Sequence, residues 1–265
     1  MCTVWQESPS EDFHHPTPAG WAALHPARSP GWGIRVRPAH SDTFRPAVAR
    51  TVTRPLSAQA YRRDGFLSPV PAITPQEAAH AKAALEHFER TTGQDAGQAI
   101  RGKGHLKLRA VHDLVRHPAI LDRVEQILGP EILCWGVSLF SKPAGDEAFV
   151  GLHADTFFWG LSSFAVCSAW VALTESTIEN GAMRCLPASH LAPAPHPHAV
   201  VPGTANMLHS KEEVTPDAAA ALRAEGGEVA CTLAAGEMTL FHVRPSPPQR
   251  PRSSCQHSAC ASLRR

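Results

Sequence analysis

The chain has 265 residues, of which 43% are hydrophobic and 18% are charged, and its formal net charge at pH 7 is +1. This length and composition allow a sizeable core in one large domain or two small ones, which excludes wholesale disorder. The near-neutral charge gives no electrostatic reason to expect nucleic acid as a partner. The longest apolar run, Phe164–Leu173, has ten residues and contains Ser168, whereas a membrane span needs about 20. We therefore expect no membrane-spanning helix.

The cysteines indicate the cellular compartment, and the histidines indicate the kind of site to look for. Seven cysteines are scattered along the chain without a CxxC pair, which argues against a disulfide scaffold and against a thiolate zinc site. This pattern favours a reducing compartment, and we expect a cytoplasmic protein. Sixteen histidines raise the question of a metal site built from imidazoles.

Charge and proline divide the chain into three stretches. Residues 1–55 hold six Arg and eight Pro, and residues 244–265 hold five Arg, four Pro and no acidic residue. Proline lacks a backbone donor and has a fixed φ, so neither end is expected to form a continuous helix or a central strand. We predict two poorly ordered segments, 1–55 and 244–265, on either side of one folded domain at 56–243.

The folded stretch opens with signals typical of helices. Thr74 and Glu77 form a capping box with Pro75 at the first helical position, and Gly93 ends the helix that follows. Pro118 begins a second helix, which has an apolar face and ends at Gly129.

The period changes to that of strands from about residue 132. Residues 187–227 are rich in Pro and His and are predicted to form a large loop, with some helix near Pro216–Ala224, that could close over a substrate. Helices followed by strands indicate an α+β fold that is mainly β, and a double-stranded β-helix (jelly roll) with N-terminal helical cover fits the strand count. The predicted strands are Ile132–Lys142, Ala148–Asp155, Phe164–Glu175, Ala182–Leu186, Glu228–Leu233 and Glu237–Val243.

His153 and Asp155 lie two residues apart at the end of a predicted strand. Residues at this spacing point to the same face, so an imidazole and a carboxylate can converge on one cation. Iron(II) held by two His and one carboxylate leaves open positions for substrates. Taken alone, the pair favours a satisfied surface pair over a pair of metal ligands. A second match, His40 and Asp42, lies in the Pro-rich N-terminal segment, and we assign it to chance.

A series of motifs follows in a fixed order along the chain. They are Tyr61–Phe66, Leu114–Pro118, Gly129–Pro130, Gly151–Asp155, Ala169–Leu173, Glu179–Arg184, Leu186–His190 and Gly236–Leu240. From about Leu56 to Val243 this series resembles the phytanoyl-CoA dioxygenase family, whose members are iron(II)- and 2-oxoglutarate-dependent oxygenases on a double-stranded β-helix. The ordered series is far more specific than any single motif.

The resemblance implies a site and a reaction. His153 and Asp155 match the first two iron ligands, Trp170 matches an aromatic residue that lines the 2-oxoglutarate site, and Lys103 is similar to a lysine that reaches this cosubstrate. Without the family, Trp170 could be plain core and Lys103 a solvated surface charge. The implied reaction uses dioxygen to hydroxylate an unactivated C–H bond of a small molecule, with no catalytic residue beyond the metal ligands. Phe157, Phe158 and Trp159 could wall the substrate pocket.

The C-terminal end departs from the family. The second histidine ligand is expected where Pro247 stands, and no arginine is in register for the distal carboxylate of 2-oxoglutarate. His242 or His257 could substitute as the third ligand, or the ligand could be absent. We interpret the abrupt change after Arg244 as a replaced ending or a shifted reading frame. The alternative function is a catalytically silent jelly roll that binds a ligand or a partner.

Overall fold

The computed structural model describes residues 1–7, 57–142, 145–155, 165–192, 196–202, 205–208 and 211–242. All of these residues belong to one compact unit. Several predictions fall outside the described residues: most of the segment 1–55, the tail 244–265, the pair His40 and Asp42, the aromatic run Phe157–Trp159, and the positions Pro247 and His257.

The described elements run in chain order from a short N-terminal strand to the strand that ends at His242. The helices are α1 (Ala58–Asp64), α2 (Pro75–Thr92), α3 (Ala96–Ala99), α4 (Arg109–Val115), α5 (Pro118–Leu128) and α6 (Pro216–Gly226). The strands are β1 (Cys2–Glu7), β2 (Phe66–Pro71), β3 (Ile132–Ser138), β4 (Val166–Val171), β5 (Met183–Cys185), β6 (His198–Val200), β7 (Glu212–Val214), β8 (Val229–Cys231) and β9 (Glu237–His242).

The two predicted helices are confirmed as α2 and α5. At the start of α2 the Thr74 hydroxyl accepts from the Glu77 N–H, and the Glu77 carboxylate accepts from the Thr74 N–H. Gly93 ends α2 with a φ of 68°, which is a left-handed conformation that glycine adopts at little cost. These ends could be predicted because each depends on residues within one helical turn.

The strands form one large and two small antiparallel sheets. The large sheet has the order β2-β9-β4-β1-β3, while β5 pairs with β8 and β6 pairs with β7. The prediction that the N-terminal segment provides no central strand is wrong for residues 2–7, because β1 pairs with β3 on one side and with β4 on the other. Six residues suffice for a strand whose backbone groups are satisfied from both sides.

Alternating side chains of β4 pack in two different hydrophobic cores. Cys167, Ala169 and Val171 belong to a helix-side core with the helices, whereas Val166 and Trp170 belong to an inter-sheet core. The inter-sheet core lies between the large sheet and the β5–β8 pair, and its other members are Val4, Phe66, Ala172, Met183, Cys185, Cys231, Leu233 and Phe241. The α+β class with helical cover on one side of a sheet pair is confirmed.

The helix predicted near Pro216–Ala224 is confirmed as α6. The rest of the segment 187–227 is not only a loop, because its described parts also contain the short strands β6 and β7. Leu186, Val214, Ala219 and Leu222 form a third core with Leu152, so this segment packs against the residues next to His153. Among the described residues, no helix combines the length and the apolar character that crossing a bilayer requires.

Candidate metal site

The chain segment that carries His153 is extended, but it is not the continuous strand predicted for Ala148–Asp155. Its backbone bonds alternate between partners: Phe149 pairs with Ala205 and Met207, and the Leu152 carbonyl accepts from Val214 N at 2.7 Å. Two further N–H groups donate to side chains, Gly151 to Asn206 and Ala154 to His198. Side-chain acceptors replace backbone ones, which is why no regular ladder forms.

The His153 imidazole is buried, with 4% of the residue exposed. Its Nδ1 lies 2.7 Å from the Gly151 carbonyl oxygen. A carbonyl can only accept, so Nδ1 carries a proton and donates it to this oxygen. The bond orients the ring and directs Nε2 towards Asp155.

His153 and Asp155 present their polar atoms to each other. Nε2 of His153 is 3.0 Å from Oδ1 of Asp155, and the side chains are 5% and 16% exposed. When two ligand atoms each lie about 2.1 Å from a cation and the angle between them at the cation is a right angle, they are about 3.0 Å apart. This separation is that of a hydrogen bond between the two side chains and also that of neighbouring ligands on one cation. The chemistry of an imidazole and a carboxylate fits iron(II).

His198 lies close behind this pair. Its Nε2 accepts from the Ala154 N–H at 3.2 Å, and its Nδ1 donates to the His196 carbonyl at 2.8 Å. Burial is the largest cause that lowers the pKa of His198, and the neighbouring His153 lowers it further. His198 is therefore a neutral acceptor at pH 7 that holds the backbone between His153 and Asp155.

Trp170 lies in the inter-sheet core with its ring 5.2 Å from the ring of Phe140, centroid to centroid. It is 4% exposed, and its Nε1 has no hydrogen-bond partner among the described residues. The fully buried Ser168, two residues earlier on the same face of β4, also has a hydroxyl without a described partner. Buried donors without acceptors are rare in folded proteins, and these two lie on the same face of β4.

Lys103 borders the same core from outside. Its ammonium donates to the Trp135 carbonyl oxygen and lies 4.1 Å from the centroid of the Trp135 ring. Trp135 packs against the inter-sheet core that contains Trp170. Lys103 is thus a partnered charge at the edge of this core, and a cation held over an aromatic ring is worth about 0.5–1 kcal/mol at an exposed position.

Among the described residues, the structure places no third ligand beside His153 and Asp155. His242 lies on the face of β9 that carries Met238 and Leu240, and its ring is 6.2 Å from that of Tyr61 and 5.6 Å from that of His190. It therefore packs on the helix side of the sheet, opposite Trp170. Within the described ranges, no group of three or more His, Cys, Asp or Glu side chains is placed to hold a metal ion.

Two residues near these groups were not singled out from the sequence. Ser168 interrupts the longest apolar run, and that lone hydroxyl was an available signal. Asn206 is 1% exposed and bonds to Gly151 next to the metal segment. Nothing in the sequence around Asn206 distinguishes it from an ordinary loop asparagine, because the bond that ties it to the metal segment comes from Gly151, 55 positions away.

Known proteins share this sequence pattern. The ectoine dioxygenase of Streptomyces coelicolor is 30% identical over 154 residues, which are 51% of this chain and 52% of that protein. A probable alpha-ketoglutarate-dependent hypophosphite dioxygenase of Stutzerimonas stutzeri is 31% identical over 159 residues, or 59% of this chain and 53% of that protein. The chain thus spans about half the length of the curated relatives it matches.

Solved structures share the fold. The non-heme monooxygenase ThoJ in its apo form is 31% identical with a TM-score of 0.57, covering 77% of this chain and 76% of that one. EctD from S. alaskensis with 2-oxoglutarate and 5-hydroxyectoine has a TM-score of 0.54 at 20% identity, covering 80% and 78%. The model of the family named phytanoyl-CoA dioxygenase matches residues 61–245. This match takes in well over half of the 265 residues, including His153 and Asp155, and the chain therefore belongs to the phytanoyl-CoA dioxygenase family.

Proposed function

We propose that this chain is an iron(II)- and 2-oxoglutarate-dependent dioxygenase that hydroxylates an unactivated C–H bond of a small organic substrate. The observation that carries the proposal is the pair of buried His153 and half-buried Asp155, with Nε2 and Oδ1 3.0 Å apart. Family membership and the names of the relatives, which include two kinds of dioxygenase, support the same reaction class. Bound iron(II) with 2-oxoglutarate would supply the activation of dioxygen that such chemistry needs.

The chain's own residues would hold and shield the reactants. His153 and Asp155 would bind the metal, and the Gly151 carbonyl would keep the His153 ring in the tautomer that leaves Nε2 available. Trp170 would offer its unused N–H to a carboxylate oxygen of the cosubstrate, and Lys103 would add positive charge at the edge of the same core. The apolar surroundings of Trp170 would exclude water from this part of the site.

Impaired turnover is part of the proposal. Pro247 stands where the family has its second histidine ligand, and the described residues supply only two donors. Each missing ligand lowers both metal affinity and geometric definition. This observation favours one other candidate function, a jelly roll that binds a ligand or a partner without turning it over.

The proposed partners are a small molecule and dioxygen, with no nucleic acid and no membrane. We propose a cytoplasmic location because Cys134, Cys167 and Cys231 are free thiols, as a reducing compartment would keep them. Ectoine is the first substrate to test and hypophosphite the second, since the relatives' names specify them.

The test is an anaerobic titration of the protein with iron(II) and 2-oxoglutarate, followed by the weak metal-to-ligand charge-transfer band. We expect the band in the wild-type protein and its loss in His153→Ala. Oxygen uptake coupled to succinate release would then identify an active dioxygenase. A band without succinate would identify a metal site that does not turn over, and the absence of any band would overturn the metal site and favour the silent binding protein.

A further inference from the structure

Asn206 forms a buried bridge beneath the segment that carries His153. Its Oδ1 accepts from the backbone N–H groups of Gly151 at 3.1 Å and of Leu208 at 3.0 Å. Its Nδ2 donates to Oε1 of Glu213 on β7 at 2.8 Å. The residue is 1% exposed and the bond from Gly151 is buried, so losing this bond would leave a buried polar group unsatisfied.

Gly151 connects this bridge to the imidazole. Its N–H donates to Asn206, and its carbonyl accepts from Nδ1 of His153 at 2.7 Å. The bonds form a continuous chain from Glu213 through Asn206 and Gly151 to His153. The last bond fixes both the tautomer and the direction of the ring.

Position 151 needs both glycine and an external support. A Cβ at this position would lie 2.4 Å from Cγ and Cδ of Glu213 and 2.6 Å from Nδ2 of Asn206. The present positions of these two side chains therefore leave no room for a Cβ. Glycine is also the residue with the greatest backbone freedom, and the bond that the Gly151 N–H donates to Asn206 restricts this freedom.

The main chain around Asn206 is held as well. The Lys211 ammonium donates to the Asn206 carbonyl, and Met207 N donates to the Phe149 carbonyl at 2.7 Å. On the β7 side, Val214 N donates to the Leu152 carbonyl at 2.7 Å. The amide of Asn206 is thus fixed relative to the metal segment on both sides of Gly151.

We propose that Asn206, held by Glu213, is a positioning residue for the metal ligand His153. It acts through Gly151 and keeps Nε2 of His153 directed at the cation site. This inference rests on the proposed function, because it assumes that His153 binds a metal. It goes further in assigning part of the metal affinity to an uncharged residue that does not touch the metal.

The test compares cobalt(II) binding to the full chain in matched variants, using calorimetry and the visible ligand-field spectrum at saturating metal. Asn206→Leu should raise the Kd for cobalt(II) about 10–100-fold and should shift the spectrum. Asn180→Leu is the control, because Asn180 also accepts from a backbone N–H (Thr177, 2.8 Å) and donates to a carbonyl (Glu175, 2.9 Å), in the turn between β4 and β5. It should lose stability but keep the wild-type Kd and spectrum.

A second pair of variants keeps the test decisive if Asn206→Leu does not fold. Glu213→Gln and Glu213→Leu remove the same charge, but only Gln retains an oxygen that accepts from Asn206. We expect near wild-type cobalt(II) binding in Glu213→Gln and weaker binding with an altered spectrum in Glu213→Leu. Equal binding in the two would overturn the inference, as would a wild-type Kd in Asn206→Leu.

His153→Ala distinguishes a failure of the proposed metal site from a failure of the positioning role of Asn206. If this variant binds cobalt(II) as tightly as the wild type, the proposed metal site itself is wrong. If it loses binding while the Asn206 and Glu213 variants keep it, the metal site stands and the positioning role of Asn206 is wrong.

Discussion

Trp170 carries a buried N–H group for which the described residues supply no acceptor. In a core without a ligand this group only costs free energy, because it has left water and gained no hydrogen bond. The carboxylate of 2-oxoglutarate, if it accepted from this N–H as proposed above, would offset that cost. The proposed binding role of the indole can therefore be separated from its packing role.

Trp170→Phe separates the two roles, because it removes the N–H and keeps an aromatic ring against Phe140. We expect the free energy of unfolding without ligand to stay within about 1.5 kcal/mol of the wild type, as for other conservative core exchanges. The Kd for 2-oxoglutarate should rise about 2–10-fold, the equivalent of one hydrogen bond. Urea unfolding and a cosubstrate titration measure these quantities. An unchanged Kd would show that Trp170 is plain core.

At the scale of elements, the Glu77 carboxylate stabilises the start of α2. Its bond from the Thr74 N–H is the largest cause that lowers the pKa of Glu77 below its ordinary value of 4.5. Since the folded-state pKa is the lower one, this stabilisation is present above pH 4.5 and is lost as the pH falls through the lowered pKa.

Glu77→Gln tests this contribution. At pH 7 we expect the variant to be about 0.3–1 kcal/mol less stable than the wild type, because a charge near the helix N-terminus is lost. The difference should shrink as the pH falls below 4.5 and Glu77 becomes protonated. Urea unfolding at several pH values measures it, and Glu131→Gln, at an exposed position outside the helices, is the control. A difference that does not depend on pH would refute the assignment.

Elements with local signals could be predicted, and those that depend on distant partners could not. Thr74, Glu77 and Gly93 determine the ends of α2 within one turn of each end. The segment around His153 looks like a strand because its residues alternate, but its partners include the side chains of Asn206 and His198. No local sequence pattern shows that side chains replace backbone partners here. The extended shape of this segment could therefore be predicted, but its hydrogen-bond partners could not.

The same distinction applies to the candidate site. His153 and Asp155 could be found because two residues at strand spacing share a face, and their separation of 3.0 Å agrees with that expectation. The side of the sheet on which His242 lies could not be found from the sequence. It depends on the register of β9 against β4, where His242 pairs with Cys167.

At the scale of the whole molecule, β1 joins the edge strand β3 to the other three strands of the large sheet. It is the first segment of the chain, yet it lies between β3 and β4. Its own residues Thr3 and Val4 are buried, as is Met1 just before it. Residues 1–55 are rich in proline and arginine as a whole, and this composition gave no indication that the six residues of β1 form a strand. Without β1, both β3 and β4 would expose unpaired backbone groups, which is a hazard for aggregation.

Val4→Asp tests whether β1 belongs to the sheet. Val4 is 5% exposed in the inter-sheet core, so a carboxylate there should cost several kcal/mol and lower the urea midpoint sharply. Leu133→Asp, on the neighbouring strand β3, is the matched control because Leu133 is 53% exposed. We expect it to change the stability by less than about 0.5 kcal/mol. Equal midpoints in the two variants would contradict the position of β1.

The central claim is that His153 and Asp155 together bind iron(II), and equilibrium dialysis of the full chain against iron(II) under anaerobic conditions tests it most directly. We predict one iron per chain in the wild type. We predict the same for His242→Ala, the control, which removes an imidazole on the helix side of the sheet, away from the proposed site. We predict loss of that iron in His153→Ala and in Asp155→Ala. Retention of stoichiometric iron by both of these variants would contradict the account.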